Sequence, residues 1–96
     1  MRTMLVVEID TDAGNKRITD GTIAKTMEDV MAALKPEAAY FYAHNGRRAM
    51  TLVADLPDEA SVVTACEPLW LGLNASVETF TCMNADDLRT GLGRLR

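Results

Sequence analysis

This 96-residue sequence has few of the residues that carry most enzyme chemistry and metal binding. It contains one histidine, two cysteines and only 5% aromatic residues. A single histidine, without carboxylates or thiols at ligand spacing, argues against a zinc site. The sequence also has no P-loop, dinucleotide-binding fingerprint, nucleophile elbow or CxxC pair. We therefore predict that the protein uses no metal and no cofactor.

The chain also lacks a long apolar run and an excess of positive charge. No apolar run approaches the ~18 residues of a membrane span, and Glu8 and Asp10 follow Met1 too closely for a secretory signal. A net charge of −4 and a pI of about 4.8 argue against a general nucleic-acid binder, which needs a basic stripe. Without an export signal, Cys66 and Cys82 are expected to be reduced core residues. We expect a cytoplasmic protein that binds neither membranes nor nucleic acid.

The strongest local signal is Asn45-Gly46, which lies between two runs of strand-forming residues within positions 38–56. Both positions of a type I′ hairpin turn need positive φ, which Asn and Gly tolerate. The turn sets the register, so that His44 faces Arg47. Side chains alternate along strands, which predicts two faces: Ala39, Phe41, Ala43, Met50 and Leu52 on one, and Tyr40, Tyr42, Ala49, Thr51 and Val53 on the other.

Periodicity predicts one strand and one long helix before this hairpin. Residues 4–10 alternate as a strand that turns Leu5, Val7 and Ile9 to one side. An apolar stripe then predicts a helix that begins at Asp20 and is ended by Pro36. Residues 11–19 are predicted to be either a loop or a short helical turn.

A second helix, a strand and a terminal helix are predicted after the hairpin. The second helix starts near Pro57 and should kink or break near Glu67, because Pro68 removes a hydrogen bond. Residues 75–83 read as strand 4, with Phe80 on one side and Val77, Thr79 and Thr81 on the other. Asn84 is the predicted N-cap of a short leucine-containing helix, which we expect either to dock on the body or to fray.

This order, β-α-β-β-α-β with a terminal helix, predicts a single α+β domain over residues 1–96. It is the ferredoxin-like arrangement, a four-stranded antiparallel sheet with two helices on one face. The predicted helix-facing core is Leu5, Val7, Ile9, Phe41, Met50, Leu52 and Phe80. Its predicted helical partners are Ile23, Met27, Met31, Leu34, Val63, Cys66 and Trp70.

The second face of the predicted sheet is half apolar. It would collect Met4, Val6, Glu8, Tyr40, Tyr42, Thr51, Val53, Val77, Thr79 and Thr81. Such a face marks an interaction surface when nothing covers it. The simplest cover is the same face of a second copy, which predicts a homodimer whose sheets close into a barrel.

Three segments carry a family resemblance: LKPEAAYFYAHNGRRAM, EPLWLGLNASVETF and CMNADDLRTGLGRL. They resemble a group of small uncharacterised bacterial proteins in the dimeric α/β-barrel superfamily. The wider superfamily includes antibiotic-biosynthesis monooxygenases and muconolactone isomerases. The resemblance implies a fold and a dimer rather than a reaction.

The candidate ligand-binding residues are Trp70, Cys66, Phe41, Met27 and Met50, between the helices and the sheet. The resemblance implies part of this set, because some monooxygenases of the superfamily place an Asn and a Trp four residues apart on the second helix. Here the spacing survives as Cys66 and Trp70, with the Asn replaced. The alternative interpretation is that both are core residues.

The candidate catalytic residues are Tyr40, Tyr42 and Glu8, which supply phenol groups and a carboxylate on the second face. As an alternative, they are ordinary anchors of a dimer interface. His44 and the two neighbouring arginines, Arg47 and Arg48, are expected to be solvated at the hairpin tip. Our first hypothesis is a homodimer that holds a small apolar or aromatic ligand. The alternative is a cofactor-independent monooxygenase or isomerase acting on a small aromatic or lactone substrate.

Overall fold

The computed structural model describes residues 1–95, which form four strands and four helices. In chain order the elements are β1 (Arg2–Glu8), α1 (Thr11–Thr19), α2 (Ile23–Leu34), β2 (Ala38–His44), β3 (Arg47–Asp55), α3 (Ala60–Leu73), β4 (Ser76–Thr81) and α4 (Ala85–Gly93). The class is α+β, as predicted from the order of the elements.

The four strands form one antiparallel sheet in the order β2-β3-β1-β4. The predicted register of the β2–β3 hairpin is confirmed, with His44 opposite Arg47. Asn45 and Gly46 have φ angles of 53° and 73°, as the turn requires. Because the two turn residues are adjacent in sequence, the local sequence determines the register of β2 against β3.

One face of the sheet, the helix face, carries the core. Leu5 and Val7 of β1 pair with Leu52 and Met50 of β3, and all four side chains are almost fully buried. The helices cover this face with a second set of buried residues, namely Val30 of α2 and Ala65, Cys66, Leu69 and Leu73 of α3. Removing this apolar surface from water is the main source of stability.

The opposite face of the sheet is called the open face here. The strand pairings assign it Met4, Val6, Glu8, Tyr40, Tyr42, Ala49, Thr51, Val53, Glu78 and Phe80. Tyr40 is 68% exposed and Phe80 is 46% exposed. A large part of this apolar and aromatic surface therefore lies against solvent.

The predicted orientation of β4 was wrong. Phe80 lies opposite Met4, which places it on the open face, while Thr79 lies opposite Leu5 on the helix face. The period of two correctly separates the side chains into two sets. The pairing with β1 decides which set points toward the helices, and that pairing joins residues about 75 positions apart.

Residues 11–19, for which a loop and a helix were both open, form helix α1. Asp10 is its N-cap, and the Asp10 Oδ2 accepts a hydrogen bond from the Ala13 backbone N–H at 3.1 Å. Arg17 ties this helix to α3, because its Nη2 donates to the Gly72 carbonyl at 3.0 Å. The cap and the arginine together explain a helix in a mostly polar segment.

A kink or a break was predicted near Glu67; helix α3 runs through Pro68 as one element, so there is no break. Pro68 has no N–H to donate to the Thr64 carbonyl, four residues earlier. Both residues line the groove between α2 and α3, where water has access. The helix continues because its opposite side is held in the core by Cys66 and Leu69.

Two predicted core residues of α3 lie at the surface. Val63 is exposed, and Trp70 is 40% exposed. The buried stripe instead follows Ala65, Leu69 and Leu73. Trp70 comes one residue after Leu69, which turns it about 100° away from the centre of the stripe.

Helix α4 extends from the body and buries none of its side chains. Asn84 and Asp87 form a capping box, which confirms the predicted N-cap. An ion pair of 2.8 Å between Arg2 Nη1 and Asp87 Oδ2 connects the helix to β1. The described residues span 56 × 27 × 17 Å, and their radius of gyration of 15.2 Å exceeds the roughly 12–13 Å of a compact domain of this length.

None of the helices within residues 1–95 combines the length and apolar character that a membrane crossing requires.

Candidate functional site

An apolar cavity of about 270 Å³ lies beside the hairpin end of the sheet, between α2 and strands β2 and β3. It is lined by Ile9, Ile23, Met27, Phe41, Tyr42, Arg48, Ala49 and Met50. Met27, Phe41 and Met50 are three of the five predicted ligand-binding residues, and the structure brings them together here. An enclosed apolar cavity of about 150 Å³ is enough to hold benzene. This space is partly open to solvent, and its volume is sufficient for a small ring compound.

The cavity exists because α2 covers the edge of the sheet incompletely. Ile23 and Met27 lie one helical turn apart on the apolar stripe of α2. Phe41, on the edge strand β2, pairs with Met50. Phe41 was predicted to be a core residue; it lies on the predicted face but is 60% exposed, because an edge strand has less of the helix layer above it.

Cys66 and Trp70 do not line this cavity. Cys66 is buried in the core, where desolvation, followed by the nearby charge of Glu67, raises the pKa of its thiol. Trp70 lies on α3 with its side chain partly exposed to solvent. The four-residue spacing of this pair therefore does not bring it to the other three candidates.

A polar cluster lies on the open face around Glu8. Glu8 Oε2 is 3.3 Å from His44 Nδ1, and Glu8 Oε1 is 3.5 Å from Arg47 Nη1. The Glu8 side chain is three-quarters shielded from solvent. A carboxylate and an imidazole at this distance can exchange a proton, although neither lines the apolar cavity.

Sequence reasoning missed the contact between Glu8 and His44. His44 was expected to be solvated without a partner, whereas β1 brings a carboxylate to it across β3. The contact follows from the pairing of Glu8 with Ala49, which places Glu8 near the hairpin end of the sheet. Predicting this contact requires the register of β1 against β3, and no local motif determines that register.

The two tyrosines of the open face differ in their contacts. The Tyr42 hydroxyl lies 2.7 Å from Thr51 Oγ1. Tyr42 and Glu8 both pair with Ala49, from opposite sides, so they flank that residue on one face. Tyr40 lies farther along the strand, opposite Thr51, and is mostly exposed.

Arg48 is exposed, as predicted, but its side chain also contacts helix α1. Its Nη1 donates to Asn15 Oδ1 of α1 at 3.0 Å, and its side chain crosses Gly14 of the same helix. It also lines both the apolar cavity and a neighbouring depression of about 350 Å³. Arg48 is therefore the charged residue at the boundary between the two spaces.

Three further clefts lie away from these residues, and the smallest, of about 260 Å³, lies beside Leu56, Val62 and Phe80. The other two are larger. One of about 570 Å³ separates α2 from α3 and has Arg17, Lys25 and Asp29 among its lining. The other, of about 560 Å³, lies where Arg2 and Asp87 meet. Within residues 1–95, no three His, Cys, Asp or Glu side chains are grouped so as to hold a metal ion.

Comparison with known proteins leaves the family open. No family model matches this sequence, and no curated protein shows significant similarity to it. The small α+β fold with its four-stranded antiparallel sheet is compatible with the ferredoxin-like arrangement. Membership of the dimeric α/β-barrel superfamily stays a prediction from the sequence resemblance.

Proposed function

We propose that this protein works as a homodimer that holds a small apolar or aromatic ligand in the cavity beside α2. The observation that carries the proposal is the cavity of about 270 Å³, whose accessible lining is almost entirely apolar. Transfer of an apolar molecule from water into such a space is favourable without any directed polar contact.

The dimer is proposed from the composition of the open face. Tyr40 and Phe80 are large, aromatic and exposed, and Met4, Val6 and Val53 are only partly covered. Contiguous exposed surface of this kind marks an interaction site. In the ferredoxin-like arrangement that we propose for the chain, two such sheets would meet face to face around a two-fold axis and form a barrel.

The proposed dimer surface and the proposed ligand site lie on opposite sides of the sheet. Most of the cavity lining, including Phe41 and Met50, belongs to the helix face. Tyr42 and Ala49 also line the cavity, although strand alternation turns their side chains toward the open face. The dimer and the ligand site are therefore proposed from separate observations.

Size-exclusion chromatography with light scattering tests the dimer. We expect twice the chain mass of 10.5 kDa at micromolar concentration, and a shift toward the monomer in Tyr40→Ser and Phe80→Ser. Leu71→Ser is the matched control, because Leu71 is 83% exposed on α3. A wild-type protein that is monomeric at these concentrations would overturn the dimer.

Methionine-methyl NMR with toluene as the probe tests the cavity. Toluene should shift the methyl signals of Met27 and Met50, since both line the cavity. Ile23→Phe should weaken the effect by filling part of the space, whereas Leu71→Phe should leave it unchanged. If toluene leaves both signals in place, the cavity does not accept apolar ligands.

A second candidate function is proton-transfer catalysis, in a monooxygenase or isomerase acting on a small aromatic or lactone. It is favoured by the 3.3 Å contact between Glu8 and His44 on the face that also carries Tyr40 and Tyr42. Oxygen uptake with small quinols, or proton exchange in small lactones followed by NMR, would test it. Turnover should be lost in Glu8→Gln and kept in Asp86→Asn, on the distant helix α4. Absence of turnover with both substrate classes would remove this candidate.

A further inference from the structure

We propose that the cavity beside α2 selects a carboxylate: its ligand has a small aromatic or alicyclic body and a negative end held by the Arg48 guanidinium. This inference rests on the proposed ligand-binding function and specifies its substrate class. The ring of the ligand would lie among Met27, Phe41 and Met50, and its carboxylate would point toward the β2–β3 turn.

The first support is the unused charge of Arg48. Arg2, Arg47 and Arg89 each contact a carboxylate within 4 Å, whereas Arg48 has no such partner among residues 1–95. A guanidinium has five N–H donors, and the hydrogen bond to Asn15 uses one of them. The remaining donors can bind a carboxylate in the bidentate geometry that arginine favours.

The second support is the position of the guanidinium. Arg48 Nη1 and Cδ lie 2.7 and 3.5 Å from the point where a Cβ on Gly14 would be, and Ile9 Cγ2 lies 3.4 Å from the same point. Ile9 and Arg48 both line the apolar cavity, and Arg48 also lines the adjoining depression. The cavity lining is almost entirely apolar, so Arg48 contributes its methylene groups there, while its guanidinium contacts Asn15, which lines the depression. A ligand with its apolar part in the cavity would therefore reach the guanidinium from the side of the depression.

The third support is the local charge. The protein has a net charge of −4, yet no Asp or Glu lines either the cavity or the depression. Arg47 and Arg48 both line this region, and Arg47 is partly neutralised by Glu8. The region is thus positive in a negative protein, which favours an anion over a cation of the same size.

The test compares phenylacetate, phenylacetamide and toluene by titration of the Met27 and Met50 methyl signals. We expect phenylacetate to bind at least about tenfold more tightly than phenylacetamide, the difference that a charge-assisted hydrogen bond supplies. Arg48→Gln should bring the two affinities within about threefold of each other. Arg89→Gln, which removes the same charge on the distant helix α4, should keep the preference.

The outcomes separate this inference from the proposed function. Equal binding of all three probes, or equal loss of the preference in Arg89→Gln and Arg48→Gln, overturns the assignment of a carboxylate to Arg48 and leaves the apolar site standing. Failure of all three probes to shift the methyl signals overturns both. Toluene binding to Arg48→Gln, retained at the wild-type level, shows that the cavity is intact in the variant.

Discussion

The Arg48 guanidinium fills the space that any side chain at position 14 would need. A Cβ added to Gly14 would lie 2.7 Å from Arg48 Nη1. The conflicting atom is the end of a flexible side chain, so alanine fits at this position if the guanidinium moves away. Gly14 therefore determines where the charge of Arg48 lies without contributing any charge itself.

Gly14→Ala should move the Arg48 guanidinium while keeping its charge, so it tests whether the position of Arg48 matters. Alanine gains about 1 kcal/mol over glycine inside a helix, and the variant loses the hydrogen bond to Asn15, so we expect the free energy of unfolding to change by less than about 1 kcal/mol. The preference for phenylacetate over phenylacetamide should nevertheless fall as it does in Arg48→Gln. Urea denaturation and the methyl titration measure the two quantities. A stable variant with an unchanged preference would show that Arg48 does not act from this position.

Pro68→Ala should stabilise the protein. The substitution supplies an N–H four residues after Thr64 and removes the clash of the proline ring with the preceding turn, which together cost up to about 3 kcal/mol in a helix interior. Because α3 already has a continuous helical path, little rearrangement is needed. Urea denaturation should show a higher midpoint with an unchanged slope. A lower midpoint would mean that the packing of α3 depends on the proline ring.

Acid should weaken the fold through three carboxylates. The pKa values of Asp20, Asp55 and Asp58 lie below the ordinary 3.8, because Asp20 and Asp58 accept hydrogen bonds from Thr22 and Ser61, and Asp55 accepts one from the N-terminal amine. A lowered pKa in the folded state gives stability that is complete above the unfolded value and is lost as the pH falls through the folded value. The urea midpoint should therefore decrease between about pH 5 and pH 2.5.

Asp58→Asn isolates one of these contributions. Its urea midpoint should depend less steeply on pH in the acid range than that of the wild type, since the amide does not titrate. Asp12→Asn is the control, because the Asp12 carboxylate accepts no hydrogen bond from another side chain within residues 1–95. If the two variants have the same acid dependence, the contact with Ser61 contributes nothing to it.

The two thiols should differ in reactivity. Cys66 is almost fully buried and has a raised pKa, while Cys82 is half-buried. In native buffer we expect one thiol to react with a disulfide reagent at least about a hundredfold faster than the other, because Cys66 reacts only after the structure opens. Cys82→Ser should remove the fast phase, and urea should make both thiols reactive. Two fast phases in the wild type would contradict the buried position of Cys66.

Helix α4 should exchange its amide hydrogens faster than α3. Leu88 and Leu92 of α4 are exposed, whereas Leu69 and Leu73 of α3 are fully buried. Local opening of α4 therefore exposes little new apolar surface and costs less free energy. Hydrogen exchange at low protein concentration measures the difference. Equal protection of the two helices there would contradict the position of α4, and protection that rises with concentration would show that α4 contacts a second copy.

Several elements of this protein were predictable because their causes are local. The Asn45-Gly46 turn determines the pairing of His44 with Arg47, since positive φ at two adjacent residues leaves one register for the hairpin. The cap at Asn84 likewise depends on residues three positions apart. The α+β class follows from the apolar periods of 2 in the strands and 3.6 in the long helices. Each period can be read from its own segment without knowledge of the rest of the chain.

The candidate site was predictable only in part. Met27, Phe41 and Met50 were selected from apolar periodicity, and they do line one cavity. Trp70 was selected with them from a spacing implied by resemblance, and it lies elsewhere. Spacing along a helix gives relative angles, and it leaves the absolute rotation of the helix against the sheet undetermined.

The sequence by itself determined the four strands, the three helices other than α1, the hairpin register and the presence of two unlike sheet faces. Only the tertiary structure decided that Phe80 belongs to the open face, that Glu8 meets His44, and that Arg48 lies over Gly14. The physical reason is the sequence separation of the partners. These contacts join residues more than 30 positions apart, so they depend on the strand order and helix rotation of the whole domain, which no periodic pattern encodes.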